Sequence, residues 1–291
     1  MTDPTLWVSA VQEGCFYALI ALAYYVVLIG TGFFNFAVGE YAMVGGLFTA
    51  WMVTNHSVAL WITVPLSILV CVALAAATEF VVVRPVQRRS GLSELPALVA
   101  VVAVLFTIQQ LGGVLFGYIT LPGATLLDIS PIKLGSASLN GTALLTYIVT
   151  GVLFVASAVW IRTSRTGRML RAVGDNRSAA ALLGLPVARV RVVAFALCGL
   201  VAAVAGILFA PQAGIGNTNG VDFALDGFLA LVVGGTGSTW APLAGGMILG
   251  GVEIFVPFYF GGPWLAYVLL IVALVFFGLR PEGIFARRVR V

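Results

Sequence analysis

Apolar runs of about twenty residues recur from Leu6 to Leu279, and short segments between them hold nearly all of the charge. In a bilayer core backbone N–H and C=O groups find no water, so runs of this length cross as helices that satisfy those groups internally. Only 9% of the residues are charged and 61% are hydrophobic, whereas a soluble domain carries about 25% charged residues. The expected fold is therefore all-α, a polytopic integral membrane helical bundle of about 8–9 spans with broken helices. It forms one domain over 1–291, with a first half over 1–161, a polar loop over 162–191 and a second half over 192–291.

The runs place spans at 6–29, 37–53, 58–83, 95–116, 142–161, 192–211, 223–233, 241–258 and 264–279. Arg84-Pro85 is read as the end of the third span, and 118–141 as a polar loop. The seventh span is short and either crosses or re-enters. No cation precedes the first run and no small-residue cleavage site follows it, so the first run reads as a retained span and not as a removed signal. Three cations follow the third span, seven lie in 162–191 and four in the tail, leaving only Lys133 elsewhere. The excess of Lys and Arg on one side predicts that these segments face the cytoplasm and that the N-terminus lies outside. The same sidedness accounts for the pI near 9.2 without nucleic acid. All six tryptophans fall near span ends, where interfacial anchors belong. Cys15, Cys71 and Cys198 lie inside apolar runs, which argues against a disulfide framework or a metal site, and the lone His56 sits at a span end.

The 162–191 loop is the one long polar segment between two blocks of spans. Arg162, Arg165, Arg168 and Arg171 recur every three residues. Candidate caps follow (Asp175, Asn176, Ser178), then an apolar run from Ala179 to Leu183, then Gly184 and Pro186. The pattern predicts two short helices outside the bilayer, the second started by Asp or Asn and ended by Gly-then-Pro. A basic loop can bind anionic headgroups, but headgroup binding does not require the Ala-Leu run. A solute conduit has no need of such a loop; a protein pushed by a soluble motor has.

A short internal repeat is also visible. The block 36–41 precedes Gly45-Gly46, and 223–228 precedes Gly234-Gly235, each with a polar residue (Asn35, Asp222) before its Phe. The spans leading into the two blocks run in opposite directions, as an inverted repeat requires. Six carboxylates fall within or beside spans: Glu13, Glu40, Glu79, Asp222, Asp226 and Glu253. A charge at the bilayer centre costs on the order of 3 kcal/mol, so such groups face protein or water. Glu40 and Asp226 stand next to helix breaks, whose freed backbone groups need such surroundings. They read either as a lining of a path or gate, or as polar contacts that hold the breaks together. Glu79 is expected to pair with Arg84, and Glu13 is set aside as too near the outer surface. Gln109 and Gln110 are amides that line a path or join helices. Gly39, Gly45, Gly46, Gly245, Gly246, Gly250 and Gly251 let helix backbones approach closely. The candidate path or gate residues are thus Asn35, Glu40, Asp222, Asp226, Gln109 and Gln110. No nucleophile–base pair is present, and Gly234-Gly235-Thr236-Gly237-Ser238 lacks the Lys of a phosphate loop, so the chain is not expected to be an enzyme or to hydrolyse ATP itself.

Several of these segments together carry a family resemblance. They are F-N-F-A-V-G-E at 34–40, R-T-S-R-T-G-R at 162–168, A-A-A-L-L-G-L at 179–185, V-V-G-G-T-G-S at 232–238, P-L-A-G-G at 242–246 and R-P-E-G-I-F at 280–285. In this order the chain resembles, over essentially its whole length, the membrane permease of branched-chain amino-acid ABC importers of the Liv type, in particular the shorter, LivH-like subunit. The resemblance implies a multi-pass permease of the bacterial cytoplasmic (inner) membrane, paired with a second homologous permease and two cytoplasmic ATPases that bind ATP-Mg. It implies no cofactor in this chain. Substrate would come from an extracytoplasmic binding protein and would be a branched-chain or other small neutral amino acid, or a related amide or urea. It also implies that Asp175, Ala180, Leu182, Leu183 and Gly184 form the element that couples to an ATPase. The alternative is a stand-alone ion-coupled secondary carrier using Glu40 or Asp226 as proton sites.

Overall fold

The structure, a computed structural model, describes residues 4–89, 94–127, 131–134, 137–279 and 283–285. The basic tail residues Arg280, Arg287, Arg288 and Arg290 lie outside these. The chain builds α1 (Pro4–Thr31), α2 (Val38–His56), α3 (Leu60–Ala77), a π turn (Thr78–Val83), α4 (Arg84–Arg89), α5 (Glu94–Phe116), β1 (Ile132–Leu134), β2 (Ala137–Leu139), α6 (Gly141–Thr163), α7 (Arg165–Asp175), α8 (Arg177–Leu182), α9 (Val187–Ala213), α10 (Asn219–Gly234), α11 (Ala241–Phe260) and α12 (Trp264–Leu279). Among the described residues six helices are long and apolar enough to cross a membrane, and α12 is a shorter apolar one. The fold is an all-α polytopic bundle; among the described residues the only sheet is the β1–β2 hairpin.

Three boundaries differ from the reading of the sequence. The helix does not stop at Arg84-Pro85; it runs on to Arg89. Pro85 has no N–H, and its ring would crowd a carbonyl one turn back in an unbroken α-helix. The π turn just before it re-spaces that ladder, with Arg84 N–H bonding the carbonyl of Glu79 five residues earlier. The sixth helix starts at Val187, so Arg191 belongs to a span and not to the loop. The 118–141 segment contains the hairpin and is tied to the 214–218 break by paired Leu121–Ile215 backbone bonds of 2.9 Å.

Packing follows the expected internal repeat. α1 packs on α11 as α9 packs on α3; α1 meets α10 as α9 meets α2; α2 lies on α3 as α10 lies on α11. The two self-paired contacts, α1 with α9 and α2 with α10, lie between the halves. Each long helix ends in a break that turns on a left-handed glycine, Gly32 (φ 81°) or Gly214 (φ 75°), a conformation glycine adopts at no steric cost. Helix α1 is buried all round from Gly14 to Val27, which marks it as central. Helix α12 buries no residue within this chain.

Apolar side chains gain little by leaving lipid for one another, so close backbone approach holds such helices together. Here it runs through glycine: Gly206 faces the carbonyl of Ala42, Gly45 faces Ala203, and Gly250 faces Gly14. A methyl group at Gly206 has no room, whereas Gly251 has nothing within 4 Å. Gly206→Leu should therefore cost at least about 1–3 kcal/mol, the usual range for overpacking, while Gly251→Leu should be near neutral. Thermal unfolding of the two purified variants in detergent measures the difference.

Candidate functional site

Two polar caps shape the centre of the bundle. In the first break the side chain of Asn35 accepts the N–H of Ala37 at 3.1 Å, and its amide donates to Tyr41 Oη at 3.5 Å. In the second, Asn219 Oδ1 accepts the N–H of Gly216 at 2.7 Å. These bonds allow α2 and α10 to begin inside the bundle, where an unsatisfied backbone would be costly. The two helices then cross. Gly39 lies against the Gly220 carbonyl and Ala224, and the place a Gly220 side chain would take is filled by the Glu40 carboxyl group. Glu40 is fully buried, and neither oxygen has a hydrogen-bond partner among the described residues. Its carboxyl group is thus set against the first turn of α10, where the helix dipole favours negative charge.

The opposite face of α10 carries Asn219, Asp222 and Asp226, spaced i, i+3, i+7 and therefore aligned. With Glu13 and Tyr17 of α1 and Glu253 of α11 they line a cavity of about 450 Å³. Phe16, Phe209, Leu265 and Leu269 are among the apolar residues of its wall. Tyr17 donates its hydroxyl proton to the Glu253 carboxylate. Four carboxylates around one cavity attract a cationic group and repel an anion. Among the described residues no cluster has the arrangement to hold a metal ion.

The structure thus brings Asp222 and Asp226 together at the cavity and places Glu40 one helix face away, at the crossing. Asn35 caps a break. Gln109 is half-buried and Gln110 exposed on α5, outside the cavity lining. Glu13 was passed over for its depth, yet it lines the cavity with Glu253 and Tyr17. The Glu13–Tyr17 spacing of four on α1 was the signal available.

Glu79 does not pair with Arg84. It holds Arg191 of α9, with Nη2 at 3.0 Å from Oε2 and Nε at 2.8 Å from Oε1, both side chains almost fully buried. Gln87 accepts from both Arg191 and Arg177. The π turn explains this convergence. It absorbs one residue, so the eight-residue step from Glu79 to Gln87 acts like seven, about two helical turns. Both side chains then face Arg191.

The basic loop forms the two predicted helices. Ser164 caps α7, accepting the Gly167 N–H at 2.8 Å, and Asn176, not Asp175, caps α8, accepting from Ala179 at 2.9 Å. Gly184 (φ 75°) ends α8, with Leu185 N–H on the Ala180 carbonyl and Gly184 N–H on that of Ala181, both 3.0 Å. This pair of bonds is a Schellman stop. It fixes Leu182 and Leu183 outward, 90% and 80% exposed, while Ala180 is buried against the cluster of Leu170, Val173, Val190 and Ala194. Gly174 of α7 rests on the backbone of Ile29 at the end of α1. The loop is therefore anchored to both long helices, α1 and α9.

Removing Arg191 alone leaves Glu79 as a buried, unpaired charge, a loss of about 3–5 kcal/mol, whereas replacing both partners with apolar groups is often close to neutral. Arg191→Met should accordingly lower the thermal midpoint strongly, and Glu79→Met with Arg191→Met should recover most of it.

Residues 8–278 match the family described as branched-chain amino acid transport system permease component. The high-affinity branched-chain amino acid transport system permease protein BraD of Pseudomonas aeruginosa is 31% identical, over 96% of this chain and 94% of its own length. LivH of Escherichia coli, with the same description, is 29% identical over the same shares. The ribose import permease RbsC of Escherichia coli is 34% identical over 35% of this chain and 34% of its own.

Proposed function

Because this chain belongs to the family of branched-chain amino acid transport permease components, the membrane subunits of ABC importers whose ATPase is a separate chain, we propose a specific division of labour within it. The acidic cavity on α1, α10 and α11 lines the translocation path, the α2–α10 crossing is its seal, and α8 is where the motor pushes. Family membership leaves the stand-alone carrier without support.

The observation that carries the path assignment is the composition of the cavity wall. Carboxylates from three helices stand opposite Phe16, Phe209, Leu265 and Leu269. An amino acid with an apolar side chain presents an ammonium group and a hydrocarbon branch, and the wall has a surface for each, while its own carboxylate, which the acidic groups repel, must turn away from them. A sugar presents neither. The substrate is therefore a branched-chain or other apolar neutral amino acid, in keeping with what BraD and LivH are named for. Binding is weak, as suits a path from which the solute must leave. Selection belongs to an extracytoplasmic binding protein.

The coupling assignment rests on exposed apolar side chains where none is needed for stability. Leu182 and Leu183 point away from the bundle on a helix capped at both ends. Their partner is an ATPase, whose ATP-Mg cycle displaces α8. Through Ala180 and Gly174 the displacement reaches α9 and α1; the far end of α9 leads into the break before α10, and the end of α1 that Gly174 touches leads directly into the break before α2. Asp175 closes α7 beside this contact. A second, homologous permease completes the path. The chain lies in a bacterial inner membrane with the basic loop and C-terminus cytoplasmic and the N-terminus outside, an orientation favoured by the arginines of α4 and α7 lying at one end of the bundle.

Two outcomes follow. Asp226→Asn combined with Glu253→Gln should lower leucine uptake by the reconstituted transporter about ten-fold or more, the size of one lost charge-assisted contact (about 1.5–3 kcal/mol), while basal ATP hydrolysis is unchanged. Gly184→Arg, or deletion of Ala179 to Leu183, should abolish uptake at matched membrane levels and disconnect it from hydrolysis. Normal uptake by either coupling variant contradicts the assignment of α8.

A further inference from the structure

A second cavity, of about 590 Å³, lies at the basic end of the bundle between the π turn and α4, α8 and the start of α9. Four arginines line it, Arg84, Arg88, Arg177 and Arg191, against one carboxylate, Glu79. Arg191 and Glu79 neutralise each other. Three guanidinium charges then remain with no carboxylate among the described lining residues. Arg177 is held by a neutral amide, Gln87, at 2.8 Å. Arg84 sits 5.8 Å above the ring of Phe80, and neither Arg84 nor Arg88 forms an ion pair among the described residues. Partial burial, and after it the neighbouring Arg191 charge, push the Arg177 guanidinium below its usual range, although Glu79 acts the other way. Helix α9 starts at this wall with no side-chain cap, so its positive dipole end adds to the same field.

The cavity also has a defined depth. One turn before Arg84, Phe80 and Val81 are 61% and 66% exposed on an apolar span. The apolar run ends at Val83, and Arg84 is the first charged residue after it on the outer surface of that helix. Hydrocarbon-facing surface therefore leads directly up to the arginines.

We propose that this cavity binds the phosphate of an anionic phospholipid, with its acyl chains lying along Phe80 and Val81. Guanidinium groups recognise phosphate oxygens by paired, charge-assisted hydrogen bonds, and basic pockets between helices at a membrane surface suit such headgroups. Free phosphate or an acidic side chain of a docked protein shares the charge chemistry, but neither uses the apolar ramp. The lipid wedges α4 against α8 and α9, and so braces the coupling helix from the membrane side.

The test is native mass spectrometry of the delipidated full chain and of the assembled transporter, titrated with phosphatidylglycerol and, separately, with phosphatidylcholine. The wild-type chain should retain phosphatidylglycerol preferentially in both forms. Arg84→Gln with Arg88→Gln should weaken it roughly thirty-fold, from about 1 kcal/mol for each cation near the surface. Arg165→Gln with Arg168→Gln on α7 removes the same charge away from the cavity and should leave it within about three-fold, since the field of an exposed charge is screened beyond about 10 Å. No preference in the wild type overturns the proposal without reference to any variant. Equal losses in both double variants overturn it as a net-charge effect. Displacement by millimolar inorganic phosphate reassigns the arginines to a soluble anion. Binding to the lone chain that vanishes on assembly reassigns them to a partner protein.

Discussion

The architecture depends on the approach of two broken helices at a point without side chains. α2 and α10 can cross only because Gly39 lets the Gly220 carbonyl and Ala224 come up to its backbone, and because Gly220 leaves room for the Glu40 carboxyl group. The crossing in turn allows both helices to begin inside the bundle, with Asn35 and Asn219 satisfying the backbone that each break frees. Between lipid-embedded helices there is little hydrophobic driving force, so this intimacy of backbones supplies the packing that a water-soluble core obtains from burial. The space left over is filled by the Glu40 carboxyl group, which has no other hydrogen-bond partner among the described residues. A polar group sealed in that way sits at a disadvantage that opening of the crossing relieves.

From this point the rest of the molecule is arranged in two directions. Toward one end, α10 turns a row of carboxylates into a cavity closed by α1 and α11. Toward the basic end, the long helices α1 and α9 are clamped by α7 and α8 through Gly174 and Ala180. The same two helices thus join the α7–α8 loop to both breaks. The Arg191–Glu79–Gln87 cluster fixes α9 to the third span beside the loop.

Much of this was legible in the sequence because it is local. Span positions follow from hydropathy, and the ends of α8 follow from Asn176 and Gly184, residues whose backbone chemistry dictates a start and a stop. The internal repeat is legible in two short blocks, since a break followed by a shorter helix is built once in each half from similar kinds of residue. What could not be read was non-local. Glu79 and Arg191 are 112 residues apart, and nothing near either in the chain names the other. Pro85 looked like a stop because its usual effect is to end a helix; a π turn accommodates it here. Glu13 reads as a surface residue from its distance along the helix, and only the packing of α1 on α10 and α11 brings it to the same cavity as Asp226. Residue type alone offers Gln109 and Gln110 either a path or a helix contact, and in the structure neither lies in the lining of the acidic cavity.

The most direct test of the account is hydrogen exchange, followed by mass spectrometry, at the first turns of α2 and α10 in the assembled transporter, at rest and during ATP-driven uptake. If the crossing is the seal, amides around Glu40 and from Gly220 to Ala224 are protected at rest and exchange during turnover, while the α1–α11 contact stays protected throughout. Exchange that rises elsewhere while these amides remain equally protected in both conditions would show that the path opens by another route, and would contradict the account at its centre.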